Sequence, residues 1–174
     1  MGDKKLIKQI QQGNSDLLDV LIRKYYKDIY SFCFRKTVNS NIAADLTQEV
    51  FLKLVHYIHS YVHDGKFKNY LFTIARNVCI DYYRKNGDVI QFSEGLDAPA
   101  NDENLTKVEQ SEIVMQALND LPDIQKDVVL LRFYHDMKVR DIAEITQTSL
   151  STTKSRLKQG LDKLKKIISE EDVF

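Results

Sequence analysis

Apolar residues along this 174-residue chain recur three and four positions apart and almost nowhere alternate in twos. Leu18, Leu21, Tyr25, Ile29 and Phe32 make one such series, Leu46, Val50 and Leu54 a second, and Phe67, Leu71, Ile74, Val78 and Tyr82 a third. That spacing places each series along one side of an α-helix. The rhythm returns later in Val114, Leu118 and Leu121, in Ile124, Val128 and Leu131, in the short Ile142-Ala143-Ile145 piece, and in Leu150, Thr153, Leu157, Leu161, Leu164 and Ile168. Ser15 and Asn41 stand at cap positions, Pro122 falls between two helices, and Asp136 marks a loop. The pattern predicts an all-α protein.

Between the two groups of helices, residues 87–112 are rich in Asp, Glu and Asn, contain Gly95 and Pro99, and have no helical or strand period. This stretch reads as a flexible linker. The expected organisation is two small helical domains, residues 1–86 and 113–174, on an acidic tether.

The formal net charge is zero, but it is unevenly spread: residues 1–86 carry +6, residues 87–112 carry −6, and residues 113–174 balance. Within the last part, Ser149 to Ile168 has six basic groups against Asp162 alone. Two basic surfaces separated by an acidic strap suit a polyanion held at two places. The longest apolar run, Val128 to Leu131, is too short to span a bilayer, and the first residues pass straight into charge without a secretory signal pattern. A cytoplasmic location without direct membrane insertion is the expectation. Cys33 and Cys79 lie far apart in the chain among apolar neighbours and read as buried, reduced thiols.

The short helix around Val139 to Ile145, a turn and a longer helix capped by Ser149 have the arrangement of a helix-turn-helix. Advancing about 100° per residue, the stripe from Leu150 to Ile168 faces the core, and Thr152, Ser155, Arg156 and Gln159 point away, with Lys154 and Lys158 on the flanks. Ammonium groups suit phosphates, and the forked or paired groups of Arg156 and Gln159 suit base edges. On the helix from Phe67 to Arg84 the same count turns Asn69, Phe72, Thr73, Arg76, Ile80, Tyr83 and Arg84 outward, with Asn77 at the edge. Aromatic rings beside arginine can stack on unpaired bases while the guanidinium holds a phosphate. The same rings could equally pack against Tyr25, Tyr26 and Tyr30, and the spacing does not choose between these readings.

Asp45-Leu46-Thr47-Gln48-Glu49-Val50-Phe51, Tyr70-Leu71-Phe72-Thr73-Ile74-Ala75-Arg76-Asn77 and Asp81-Tyr82-Tyr83-Arg84-Lys85 resemble region 2 of bacterial sigma factors. Ala117-Leu118-Asn119-Asp120-Leu121-Pro122, Asp141-Ile142-Ala143-Glu144-Ile145 and Thr152-Thr153-Lys154-Ser155-Arg156-Leu157 resemble region 4. Both halves in this order, in so short a chain, are similar to the extracytoplasmic-function (ECF, group IV) class of the sigma-70 family.

The resemblance implies that Asp45, Gln48, Glu49 and Lys53 dock on the clamp helices of core RNA polymerase; their spacing also makes them one polar face opposite Leu46, Val50 and Leu54. It implies that the loop from His63 to Lys68 and the following helix, with Lys66, Lys68, Asn69, Phe72, Thr73, Arg76, Asn77, Tyr83 and Arg84, bind the melted −10 promoter element. Thr152, Lys154, Ser155, Arg156, Lys158 and Gln159 would bind the −35 element as duplex. An anti-sigma partner is implied too, and neither a cofactor nor a small-molecule substrate is.

Three departures matter: Tyr70 stands where many members have Trp, Gln147 where the helix-turn-helix turn commonly has Gly, and Thr153 where an apolar residue is expected. A positive φ at Gln147 would carry a steric cost, and Thr153 would lower the stability of its domain slightly. His56, His59 and His63 are spaced three and four apart, but no acidic or thiol ligand clusters with them, so no metal site is assigned. No phosphate-cradling loop or coupled nucleophile points to an enzyme. Beside the sigma-factor reading stand a freestanding helix-turn-helix regulator, which should bind duplex operators without polymerase, and an adaptor whose helices bind only proteins.

Overall fold

The computed structural model describes the backbone of residues 1–87 and 105–171 and the side chains of residues 1–87 and 112–170. Among the described residues there are eight helices and no strand, and the chain divides into two compact units, Met1–Leu96 and Asp97–Phe174. The acidic stretch 88–104 lies outside the described residues. The helical part after it begins at Leu105, within the segment expected to lack helical order.

The first unit holds α1 (Asp3–Gln11), α2 (Leu17–Thr37), α3 (Ser40–Tyr57) and α4 (Phe67–Asn86). Helix α1 was not legible from the long apolar series; its Leu6, Ile7 and Ile10 are buried, and α1 packs on α2. Asn39, rather than Asn41, caps α3: its side-chain oxygen accepts from the N–H groups of Asn41 and Ile42 at 3.0 and 3.1 Å. Likewise α2 begins after Asp16, not at Ser15. It ends at Val38, a β-branched residue in left-handed conformation (φ 52°) whose burial offsets the backbone cost.

The core of this unit is aliphatic and aromatic, built on Leu21, Ile29, Phe32, Val50, Leu54, Phe67 and Leu71. Cys33 and Cys79 are free and buried, and α2 and α4 bring their sulfurs to 4.0 Å. Helix α4 packs against both α2 and α3, so it buries a wider face than one stripe. Phe67, Leu71, Phe72, Ala75, Val78 and Cys79 go inside, while Ile74 and Tyr82 are half-buried.

The second unit holds α5 (Leu105–Asn119), α6 (Asp123–Phe133), α7 (Val139–Thr146) and α8 (Leu150–Glu171). Leu118, Val128, Leu130, Leu131, Ile142 and Ile145 form its core. Helices α6 and α8 cross closely at Gly160, where an added Cβ would lie 2.9 Å from Cγ2 of Val129. Leu150, expected on the core side of α8, is 43% exposed, and Ile124 is also exposed.

Candidate functional site

Helix α3 exposes Asp45, Gln48 and Glu49, with Lys53 half-buried, while Leu46, Val50 and Leu54 are buried behind them. One side of the helix fills the core and the other is left polar, as the spacing predicted. The polar face is not wholly polar: Leu52 is 62% exposed, and Val55 and Tyr26 are exposed beside it. These residues line an open groove between α2 and α3 with Ile22, Ala44, Asp45, Gln48 and Phe51. Its apolar members were missed by the sequence reading. The available signal was two large aliphatic residues, Leu52 and Val55, standing four and seven places beyond Gln48 on the same helical face.

From Ile58 onward the chain leaves α3 and turns toward α4. Ser60 Oγ donates to Tyr57 O at 3.0 Å, the Asp64 carboxylate accepts from the Lys66 N–H at 3.0 Å, and Gly65 takes φ 89°. The Tyr61 ring lies 4.4 Å from that of Tyr70 and edge-on to Phe67, leaving Val62 83% exposed. Burial, reinforced by Asp64, pushes the Tyr61 hydroxyl up to about 12, so it stays protonated and neutral at physiological pH. Tyr70 therefore occupies a packed aromatic position, consistent with a ring being required where Trp is common.

Phe72 corrects the expectation of an outward stacking ring. It is fully buried, edge-on to Phe32 at 5.7 Å. Tyr83 is half-buried, and its hydroxyl donates to the Lys36 carbonyl, so both rings meet α2, at Phe32 and at Lys36. Thr73 donates to its own helix at Asn69 O, 2.8 Å away. Lys66, Asn77 and Arg84 are exposed, while Lys68, Asn69, Thr73 and Arg76 are half-buried. What faces solvent along this edge is thus polar and basic rather than aromatic.

In the second unit, Ser149 caps α8, its Oγ accepting from the Thr152 N–H at 3.1 Å and donating to Thr152 Oγ1 at 2.8 Å. Gln147 does take a positive φ of 55°, so the turn between α7 and α8 carries the expected strain. Thr153 is buried, but its hydroxyl donates to Ser149 O at 2.9 Å and pairs with Thr148 Oγ1 at 2.8 Å. Its polarity is satisfied, and the expected loss of stability is offset. Thr152, Lys154, Ser155, Lys158 and Gln159 are exposed and Arg156 is half-buried, together forming one cationic surface on the first turns of α8. Gln159 also accepts from Gln125 Nε2 at 3.4 Å, which ties it to α6.

The Sigma-70 region 2 family matches residues 21–89, and the Sigma-70 region 4 family matches residues 111–164. The ECF RNA polymerase sigma factor SigM of Bacillus subtilis is 30% identical over 85% of this chain and 93% of its own length. The chain belongs to the ECF class of sigma-70 RNA polymerase sigma factors. SigW of the same organism is 29% identical, over 94% of this chain and 95% of its own length. The fold is that of the sigma factor RpoE in its complex with the anti-sigma factor NepR from Bartonella quintana, with a TM-score of 0.74 and 22% identity over 87% of this chain and 96% of that one.

As a sigma factor, the protein serves core RNA polymerase and promoter DNA in transcription initiation. Nothing in these likenesses supports a freestanding regulator. Among the described residues of the sigma factor, no group of three or more His, Cys, Asp or Glu side chains could hold a metal ion. His56 lies against Tyr57, and His63 lies against Tyr61. No described helix is long and apolar enough to cross a membrane.

Proposed function

We propose that the groove between α2 and α3, lined on its α3 side by Asp45 and Gln48 and continued by Glu49 and Lys53 on the polar face of α3, is where this sigma factor docks on the clamp helices of core polymerase. The carrying observation is Leu52: a leucine 62% exposed amid a polar helix face, beside Val55 and Tyr26, is a hydrophobic centre with a charged rim. Lys66, Lys68, Asn69, Thr73, Arg76, Asn77 and Arg84 then face the unpaired −10 strand, with Tyr83 at their border. Phe72 supports them from the core. Thr152, Lys154, Ser155, Arg156, Lys158 and Gln159 face the −35 duplex, with the helix N-terminus and its hydroxyls toward phosphates.

The acidic stretch before α5 occupies the polymerase's RNA path, where its charge matches a basic channel and a growing transcript displaces it. The protein works by binding rather than catalysis, in the cytoplasm. An anti-sigma protein is its further partner, a reading supported by the complex of the sigma factor RpoE with the anti-sigma factor NepR.

Energetics assign promoter opening to the assembled holoenzyme. Separating on the order of ten base pairs costs roughly 14 kcal/mol. Stacking two or three extruded bases returns only about 1–3 kcal/mol each. The sigma factor alone falls well short.

Two pairs of substitutions test the division of labour. Leu52→Glu with Gln48→Ala should weaken core binding at least about tenfold in a fluorescence anisotropy titration. Arg156→Ala with Gln159→Ala should leave core binding intact and lower run-off transcription from promoters that need a −35 element. Unchanged core affinity in the first pair would remove the groove from the docking surface.

A further inference from the structure

The end of α3 leaves carbonyl groups that its own N–H groups cannot satisfy. Just past the end of α3, the carbonyls of Ile58 and Tyr61 accept from the side-chain amide of Gln11, each at 2.8 Å, and Ile58 O also accepts from the Tyr61 N–H at 3.3 Å. Gln11 is the last residue of α1, some 50 positions earlier in the chain, and one amide with two N–H groups serves both acceptors. We propose that Gln11 is a positioning residue for promoter recognition: from α1 it fixes the path of the loop 59–66 and thereby what that loop offers to the unpaired −10 strand. The inference rests on the reading above that this loop and α4 face the −10 element.

A second set of contacts from α1 reaches the far end of the same loop. Asp3 accepts from Lys24 Nζ and from the Tyr25 hydroxyl. The Tyr25 ring stands edge-on to Phe67 at 5.5 Å, and Phe67 opens α4. Helix α1 therefore grips the loop where it leaves α3 and, through Tyr25, where it enters α4. Between these anchors the Tyr61 ring lies on Tyr70 and Val62 projects outward. A loop already ordered does not lose that freedom when it meets single-stranded DNA, and its base preference depends on side chains being held to small tolerances. Gln11 acts through Ile58 and Tyr61.

Gln11→Glu keeps the shape but turns carboxylate oxygens toward two carbonyl acceptors, whereas Gln11→Lys restores donors and adds a cation at a helix C-terminus. The full-length variants should be assembled with core polymerase on a promoter that the wild-type protein selects from a pool randomised in the −10 element. Open-complex formation would be compared on that promoter and on single-base changes of it, with core affinity measured on the same preparations. The expected result is that Gln11→Glu loses about tenfold in preference for the selected −10 element, with core affinity within about twofold of wild type. Gln11→Lys should recover most of the preference.

Wild-type preference in the Glu variant overturns the inference. So does a loss that falls equally on every −10 sequence and on core affinity, because that is the signature of a purely structural tie. Failure of the wild-type holoenzyme to open any promoter would overturn the functional reading together with the inference, whereas a normal wild type beside an unaffected Glu variant overturns the inference alone.

Discussion

In the unit of α1–α4, the residues proposed to face the −10 strand surround a loop whose carbonyls and rings are held by Gln11, Tyr25 and Tyr70 from other parts of the unit. In the unit of α5–α8, the residues proposed to face the −35 duplex stand on the first turns of one helix. There they are held by hydroxyls within five positions of one another, Thr148, Ser149, Thr152 and Thr153. The first arrangement depends on contacts between distant parts of its unit, and the second on local capping of a helix that α5, α6 and α7 support from behind. Damage to the core should therefore reach recognition in the first unit by a long route and in the second by a short one.

The sharpest way to break this contrast is Phe72→Ala. A fully buried ring against Phe32 should cost about 3–5 kcal/mol when truncated, read as a fall in the denaturation midpoint of the first unit. Phe72→Leu should cost distinctly less. An exposed stacking ring would instead weaken DNA contact while leaving the midpoint in place. A smaller effect is expected in the second unit from Gly160→Val, which forces side-chain atoms into Val129 where even a Cβ would lie at 2.9 Å. Overpacking of this kind costs about 1–3 kcal/mol, and Val129→Ala in the same chain should return part of it. Smallest is Ser149→Ala: loss of the cap on α8 should cost about 1 kcal/mol and weaken −35 binding without changing core affinity.

Helical periodicity made the all-α architecture legible because most buried positions sit on one stripe, as Leu46, Val50 and Leu54 do on α3. The same count failed on α4, which packs against two helices and draws Phe72 inside; it failed again at Leu150, where α8 begins beyond the edge of the core. Asn41 and Ser15 were each misplaced as caps by one or two residues, since several polar residues near a helix start qualify and only the backbone turn selects among them. Helix α1 offers just three buried apolar positions, too few to stand out from a charged segment.

The polar face of α3 and the exposed surface of α8 were legible, because a residue opposite a buried stripe must meet solvent or a partner. Leu52 and Val55 lie on that same α3 face, but an aliphatic residue at helical spacing has the pattern of a core position, and only the packing of α2 on α3 leaves these two exposed. The Gln11 bonds had no local signal at all: they join groups 47 and 50 positions apart, and only the packing of α1 on its unit creates them.

The most direct test of the central claim is permanganate footprinting of unpaired thymines on promoter DNA, with this protein alone, core polymerase alone, and both together. Thymine reactivity around the −10 element is expected only when both are present. Reactivity with the isolated protein, or equal reactivity at the same thymines with core polymerase alone, would contradict the claim.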